Sequence, residues 1–360
     1  MIDVTILLPM LLLSYYCGLI AEIQAVPNGS LITKKSINKA FAVLSFFVVT
    51  FVAAFRNNFV DTGVYKAQYI KINNWEYFIN YKDKGFAVLM WVLNLMSSHP
   101  QTLIIITAVI INILIFRTLY KYCVQFEMGI FLFITTGCFA LSMNGIRQFL
   151  AASVIFAATY LILNAKFKQY FLVVLLAASL HSSALIMIPV YFIVRRKAWS
   201  WSTFLIIVIS IAGYLGFNTL LPLVSGALGE SRFESNLNYF NQGNGVNIIR
   251  ILVQAVPVIL AYIVRDRLKV YWDKSDIIVN FSMLNLIVMI FASYSWIIAR
   301  ICFYFQIYNI LLIPWIIHSG FDKKARRFLY YLCFVLFTFY FYYEMVYMFK
   351  NDFQLIFRLS

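Results

Sequence analysis

The sequence predicts an all-α protein, a polytopic transmembrane helical bundle of about 10–12 membrane segments, some of them short or re-entrant. Three observations lead there. The chain of 360 residues is 63% hydrophobic and 12% charged, with a mean hydropathy of +0.83, which no soluble domain of this size shows. Its apolar blocks reach or approach the roughly 20 residues of a spanning helix, whereas outer-membrane barrel strands would alternate over about 10 residues between turns. Lysine and arginine, finally, gather in short connectors between those blocks.

Six connectors hold most of the 29 basic residues: Lys34, Lys35 and Lys39; Arg117 and Lys121; Lys166 and Lys168; Arg195, Arg196 and Lys197; Arg265, Arg267, Lys269 and Lys274; Lys323, Lys324, Arg326 and Arg327. The positive-inside rule puts all six in the cytoplasm. The net charge of +15 is then a topology signal, and nucleic acid is not an expected partner. Residues 1–360 read as a single integral membrane domain without repeats.

Spans are expected near 4–21, retained because Met1-Ile2-Asp3 has no basic leader region and no small-residue cleavage site follows, and near 40–55. Residues 56–84 form an outer juxtamembrane segment, amphipathic and aromatic (Tyr65, Tyr69, Trp75, Tyr77, Phe78, Tyr81), suited to short interfacial helices. Two apolar stretches follow, 85–97 and 102–118. If both crossed, Arg117 and Lys121 would be outside, so one of them, the 13-residue first, is expected to be re-entrant or interfacial. The stretch 129–143 rises and 146–164 descends. Basic connectors flank 169–194 on both sides, so it crosses an even number of times, as two short helices turning around Leu180-His181-Ser182-Ser183. Spans near 200–217, 248–264, 277–294, 300–317 and 328–347 complete the bundle. An outer loop, 225–247, is rich in Gly, Asn and Ser.

A charged side chain at bilayer depth costs about 3 kcal/mol or more, so it persists where it lines a polar cavity or pairs. Asn144, Arg147 and Gln148 share one helix face at the outer end of a descending span, followed by Ala151 and Ala152, which permit close helix approach. They read as a cavity wall, against a snorkelling interfacial arginine. Arg300, Tyr304 and Tyr308 recur every four residues at another such end, against membership of the aromatic belt. His181 is a base, a phosphate donor or a satisfied core residue. Arg56, Asp61 and Tyr65 directly follow a span; Asp61 is a general base, a solvated acid or the cap of a short helix. Asp83 and Lys84 precede Gly85 where the chain returns to the membrane. Under one topology Arg56, Asp61, Asp83, Lys84, Arg147, His181 and Arg300 all fall at the same outer level, where converging cations suit a diphosphate. The five cysteines show no metal-ligand spacing and read as packing residues.

Phe55-Arg56 with Asp61-Thr62-Gly63-Val64-Tyr65, Lys84-Gly85-Phe86, Asn144-Gly145-Ile146-Arg147-Gln148-Phe149-Leu150-Ala151, Leu180-His181-Ser182-Ser183-Ala184-Leu185 with Pro189, and Ala299-Arg300 with Tyr304 resemble the EpsG family of bacterial exopolysaccharide polymerases, a Wzy-like group, over nearly the whole chain. Where the family often carries glutamate before Lys-Gly-Phe, this chain has the shorter Asp83. A weaker, architectural likeness is to lipid-dependent glycosyltransferases of the GT-C type.

The resemblance implies an enzyme of the bacterial cytoplasmic membrane that joins oligosaccharide repeat units carried on undecaprenyl pyrophosphate at the outer face. Asp61 and His181 would be catalytic, with Asp61 the leading base. Arg56, Tyr65, Asp83, Lys84, Asn144, Arg147, Gln148, Arg300 and Tyr304 would bind substrate or its pyrophosphate. The leaving group carries its own activation, so no cofactor is expected; a divalent metal is compatible but not indicated, because outer acids are few. Partners would be polyprenyl pyrophosphate-linked oligosaccharides and membrane lipid, with a flippase and a chain-length regulator as further candidates. The rival readings are a transporter or flippase for the same lipid-linked sugars and a membrane sugar O-acyltransferase using His181.

Overall fold

The computed structural model describes residues 12–13, 15–16, 38–217, 245–345 and 354–355. Nearly all of the expected first span, 4–21, and most of the loop 225–247 lie outside the described residues. Helix α1 (Lys39–Ala54) starts where the Asn38 side chain accepts the Ala40 N–H, a polar N-cap. It ends at Phe55, and Arg56–Asn58 forms a strand, β1, paired antiparallel with β2 (Gln354–Leu355). The outer segment then folds as α2 (Thr62–Lys71) and α3 (Trp75–Asn80), the latter capped by Asn74, whose Oδ1 accepts the Tyr77 N–H at 3.0 Å.

Helices α4 (Lys84–Met96) and α5 (Gln101–Tyr122) resolve the crossing parity. The Gln101 amide at the start of α5 donates to the Ala54 and Arg56 carbonyls (2.8 and 3.0 Å), level with the end of α1. The far end of α4 is tied to α2: Asn94 donates to the Tyr69 carbonyl and the Tyr69 hydroxyl to the Ser97 carbonyl. Asp83, just before α4, sits against Arg147 at the same level. Both ends of α4 therefore lie at one end of the bundle, and α5 alone leads away from it, carrying Arg117 and Lys121 to the opposite end. Among the described residues α5 is the single unbroken helix long and apolar enough to cross a membrane.

Several expected spans are broken. α6 (Phe126–Thr135) and α7 (Cys138–Asn144) meet at 53° across Gly137, whose φ of +86° is left-handed backbone that glycine adopts without strain. α8 (Ile146–Ala157) and α9 (Thr159–Leu163) divide 146–164. α10 (Phe167–Leu180) ends at His181, and a 3₁₀ turn (Ser182–Ile186) leads into α11 (Met187–Val194), the short pair expected from the like-charged flanks.

After α12 (Trp201–Leu215) come α13 (Ile248–Ile263), bent 78° from α14 (Arg265–Tyr271), and α15 (Ser275–Phe291). The stretch 300–317, expected as one helix, consists of α16 (Trp296–Ala299), a 3₁₀ turn (Arg300–Cys302), α17 (Phe303–Gln306) and, after a 53° bend, α18 (Asn309–Gly320). α19 (Lys323–Tyr343) follows. Cys123, Cys138, Cys302 and Cys333 are free thiols.

The core is apolar and aromatic, with Phe131, Phe133, Phe139 and Phe149 fully buried. Polar knots interrupt it, two of them between distant helices. Gln254 accepts from Asn285 and Asn309, both at 2.8 Å, joining α13, α15 and α18. Arg250 at the start of α13 forms a two-pronged pair with Glu344 beyond α19. Interhelical hydrogen bonds of this kind contribute about 0.6–2 kcal/mol in a bilayer.

Candidate active site

Four separate stretches meet at the end of the bundle opposite Arg117 and Lys121: the outer segment 61–83, the start of α8, the 181–183 turn and the broken helix 296–304. Their contacts close into a ring. Arg147 Nη1 donates to Asp83 Oδ2 at 2.9 Å, and the Ser182 N–H donates to Asp83 Oδ1 at 3.2 Å. His181 Nδ1 and Ser183 Oγ share a hydrogen bond of 2.7 Å, and Ser183 Oγ another of 2.9 Å with the Tyr304 hydroxyl. The Gln148 amide donates to Ser183 Oγ and to the Arg300 carbonyl (3.3 and 2.8 Å). The Arg300 guanidinium reaches Asp61 at 3.9 Å, and Asp61 stands at the head of α2, one turn before Tyr65. Arg147 closes the circuit, its guanidinium 6.0 Å from the Tyr65 ring centre and 5.5 Å from that of Tyr81.

The two ion pairs differ in kind. Asp83 is 3% exposed and Arg147 27%, so their bond is sheltered from water; Arg300 and Asp61 are 46% and 35% exposed and only loosely opposed. An exposed pair contributes about 0–1 kcal/mol, and the Arg300 guanidinium also lies over the Trp296 ring, 4.8 Å from its centre. Arg147 Nε and Asn144 Oδ1 are buried without a hydrogen-bond partner. Burial pulls the His181 pKa below its ordinary value; Asp83 opposes the shift, and the positive charges of Arg147, Lys82 and Arg300 add to it. His181 is thus neutral near pH 7, with Nδ1 engaged by Ser183. Burial raises the Tyr65 and Tyr81 phenols, which stay protonated beside Arg147.

Not every expected residue belongs to the ring. Arg56 is 1% exposed and its guanidinium points into the protein: Nε donates to Thr62 Oγ1 at 3.1 Å, Nη2 to the Met143 carbonyl at 3.2 Å, and Nη1 to the Ala53 carbonyl. It brackets α1, α2 and α7 from behind. Lys84 turns to the Ile79 carbonyl at the end of α3. Tyr308 lies beyond the break after α17, fully buried and stacked on Phe281 with ring centres 3.9 Å apart. The expectation of three residues on one helix face fails because the 3₁₀ turn and the bend shift the phase. Asp61 caps α2 by position, without a side-chain bond to it.

In the sequence Tyr81 has a place only among the aromatics of the outer segment and Ser183 only in the expected turn, yet both contact ring residues. Two glycines set the spacing. A Cβ on Gly145 would meet Phe303 at 2.8 Å, and one on Gly85 would meet Ser179 Oγ at 2.2 Å and its backbone carbon at 2.9 Å. Among the described residues no group of three or more His, Cys, Asp or Glu gathers as for a metal ion.

A family model for EpsG matches residues 39–356, nearly the whole chain. No curated protein and no solved structure matches the sequence.

Proposed function

Because the chain belongs to the EpsG family, a family of membrane polysaccharide polymerases, we propose that it joins oligosaccharide repeat units carried on polyprenyl pyrophosphate at the outer face of the bacterial cytoplasmic membrane. A hydroxyl of the acceptor sugar attacks the anomeric carbon of the donor glycan; the bond from that carbon to the pyrophosphate oxygen breaks, and the polyprenyl pyrophosphate departs. The ring carries this reading: two arginines, a neutral histidine and two aspartates, brought from four stretches of chain, face one another at the end away from the basic connectors. By the positive-inside rule that end is the outer one.

Each residue has a task that its surroundings support. Arg147, with Nε unspent, and Arg300, loosely held, meet the charge that develops on the leaving diphosphate. Loss of one such preorganised donor costs about 10²–10³ in rate. Asp61 takes the proton of the attacking hydroxyl, its one ion pair among the described residues being the 3.9 Å contact with Arg300; His181 is the second choice for that step. Asp83 aligns Arg147 and the 181–183 turn together. Asn144 Oδ1, Gln148 and Tyr304 orient sugar or phosphate oxygens, while Arg56 and Lys84 serve the scaffold.

The test uses cells lacking their own copy of the gene, expressing Arg147→Lys or Arg147→Ala at normal protein level. Loss of long polymer from both, or partial activity in Lys alone, is the expected result. Normal polymer length from both removes Arg147 from the mechanism. Purified protein in liposomes separates the rival class: a ladder of products from labelled lipid-linked units supports polymerisation, whereas translocation without new bonds supports a flippase.

A further inference from the structure

Beside the ring the outer segment forms an open cleft that the chemistry above does not use. It is lined by Lys71, Asn74, Glu76, Tyr77 and Asn80 and encloses about 370 Å³, within the range of small-molecule sites. Helix α3 is two-sided. Trp75 stacks on Phe78 at 5.6 Å, and Phe78 meets Trp91 of α4 at 6.3 Å, which places an apolar flank on the α4 side. Four polar side chains and the Tyr77 ring line the cleft, and their carbon stems give it more apolar than polar surface.

An aromatic path connects the cleft to the ring. Tyr77 and Tyr81 pack edge to face with centres 5.8 Å apart, and Tyr81 lies under the Arg147 guanidinium at 5.5 Å. Tyr81 is buried, so this link is packing beneath the surface, and half-buried Tyr77 is the ring that reaches the cleft beside Arg147. Among the described residues Lys71, Glu76 and Asn80 make no side-chain hydrogen bond or ion pair with the protein, so their polar groups are not needed by the fold. Asn74 uses its oxygen on the Tyr77 N–H, which leaves both amide hydrogens for a ligand.

We propose that this cleft binds sugar residues of the donor glycan away from its pyrophosphate end, and so makes the enzyme prefer donors that have already grown. Two carboxamides, a carboxylate and an ammonium supply donors and acceptors for neighbouring hydroxyls, and the Tyr77 ring offers an apolar face with a polar tip. The inference rests on the polymerase reading and adds to it the place where the growing chain is held.

The double variant Glu76→Ala/Asn80→Ala tests it, both positions being exposed and outside the ring. In liposomes, wild type should use a donor of four repeat units at a lower KM than a donor of one. The variant should couple two single units at the wild-type rate yet lose about tenfold of the long-donor advantage, as expected for two missing hydrogen bonds. A variant that keeps the full advantage overturns the proposal. Saturation-transfer NMR with lipid-free oligosaccharides of one to four repeat units, cut from the host's own polymer, gives an arm independent of catalysis. If wild type forms no glycosidic bonds but binds the longer oligosaccharides and the variant does not, the cleft stands and the polymerase reading falls. If bonds form and both proteins bind alike, the cleft is refuted alone.

Discussion

Replacing Asp83 by Asn changes charge at nearly constant shape, at the point where two stretches of the ring are tied together. The carboxylate is 3% exposed and accepts from Arg147 at 2.9 Å and from the Ser182 N–H at 3.2 Å. Asparagine offers one oxygen, so whichever way the amide turns, its NH₂ faces one of those donors. Losing a charge-assisted bond costs about 1.5–3 kcal/mol, and stripping one partner from a fully buried pair about 3–5 kcal/mol. Arg147 is 27% exposed and keeps its contacts with the Tyr65 and Tyr81 rings, so part of that penalty is relieved by water and by the aromatic faces. A loss of about 2 kcal/mol is expected. The assay is thermal unfolding in detergent for wild type, Asp83→Asn, Arg147→Met and the double variant. Because the residues touch, the cycle should return a coupling of about 1.5 kcal/mol. Additive effects, or an Asp83→Asn protein indistinguishable from wild type, would refute the claim that this bond joins the outer segment to α8.

Three further outcomes follow from the same geometry. Gly85→Ala forces a Cβ to within 2.9 Å of the Ser179 backbone, so α4 must shift from α10 and carry Asp83 with it; protein yield or polymer output should fall, and a wild-type result for both would argue against the close packing. Thr62→Val removes the oxygen that accepts from Arg56 Nε and leaves a buried donor unpaired, at about 1–3 kcal/mol; Thr62→Ser should restore most of the stability in the same unfolding assay. Burial keeps His181 below its ordinary pKa, so its imidazole protonates only as pH falls beneath about 6.5. Activity that depends on the neutral ring should persist through pH 6.5 and fall at lower pH. Ser183→Ala, which frees Nδ1, should move that acid limb, and a limb that stays put would separate His181 from the rate.

Charge patterning made the middle of the fold legible. The like-signed flanks of 169–194 required a hairpin, and the break falls at His181; the position of Arg117 and Lys121 required one of two apolar stretches not to cross, and both ends of α4 lie at one level. Arg147 and Gln148 lie together on α8, which is regular from Ile146 onward, but Asn144 ends α7 and the non-helical Gly145 interrupts the single face that the spacing predicted. Where regularity fails, spacing misleads. The left-handed Gly137 and the bend after Gln306 interrupt regular helix, and Tyr308 lies beyond the second of these, away from the site. The roles of Arg56 and Glu344 were hidden for another reason. Beyond its local bonds to Ala53 and Thr62, Arg56 reaches Met143, 87 residues away, and Glu344 pairs with Arg250 across 94 residues; no local pattern announces such pairings. The strand pairing of β1 with β2 is more remote still.

The hairpin that carries His181 is short. Helix α10 has 14 residues, about 21 Å at 1.5 Å per residue, against a hydrocarbon thickness of about 30 Å. Leu172, Leu176, Leu185 and Phe192 are exposed along this flank. Lipid wetting that surface must thin by several ångströms to match it, at a fraction of a kcal/mol per ångström. Headgroups beside the hairpin would then sit nearer the level of His181 than elsewhere in the leaflet.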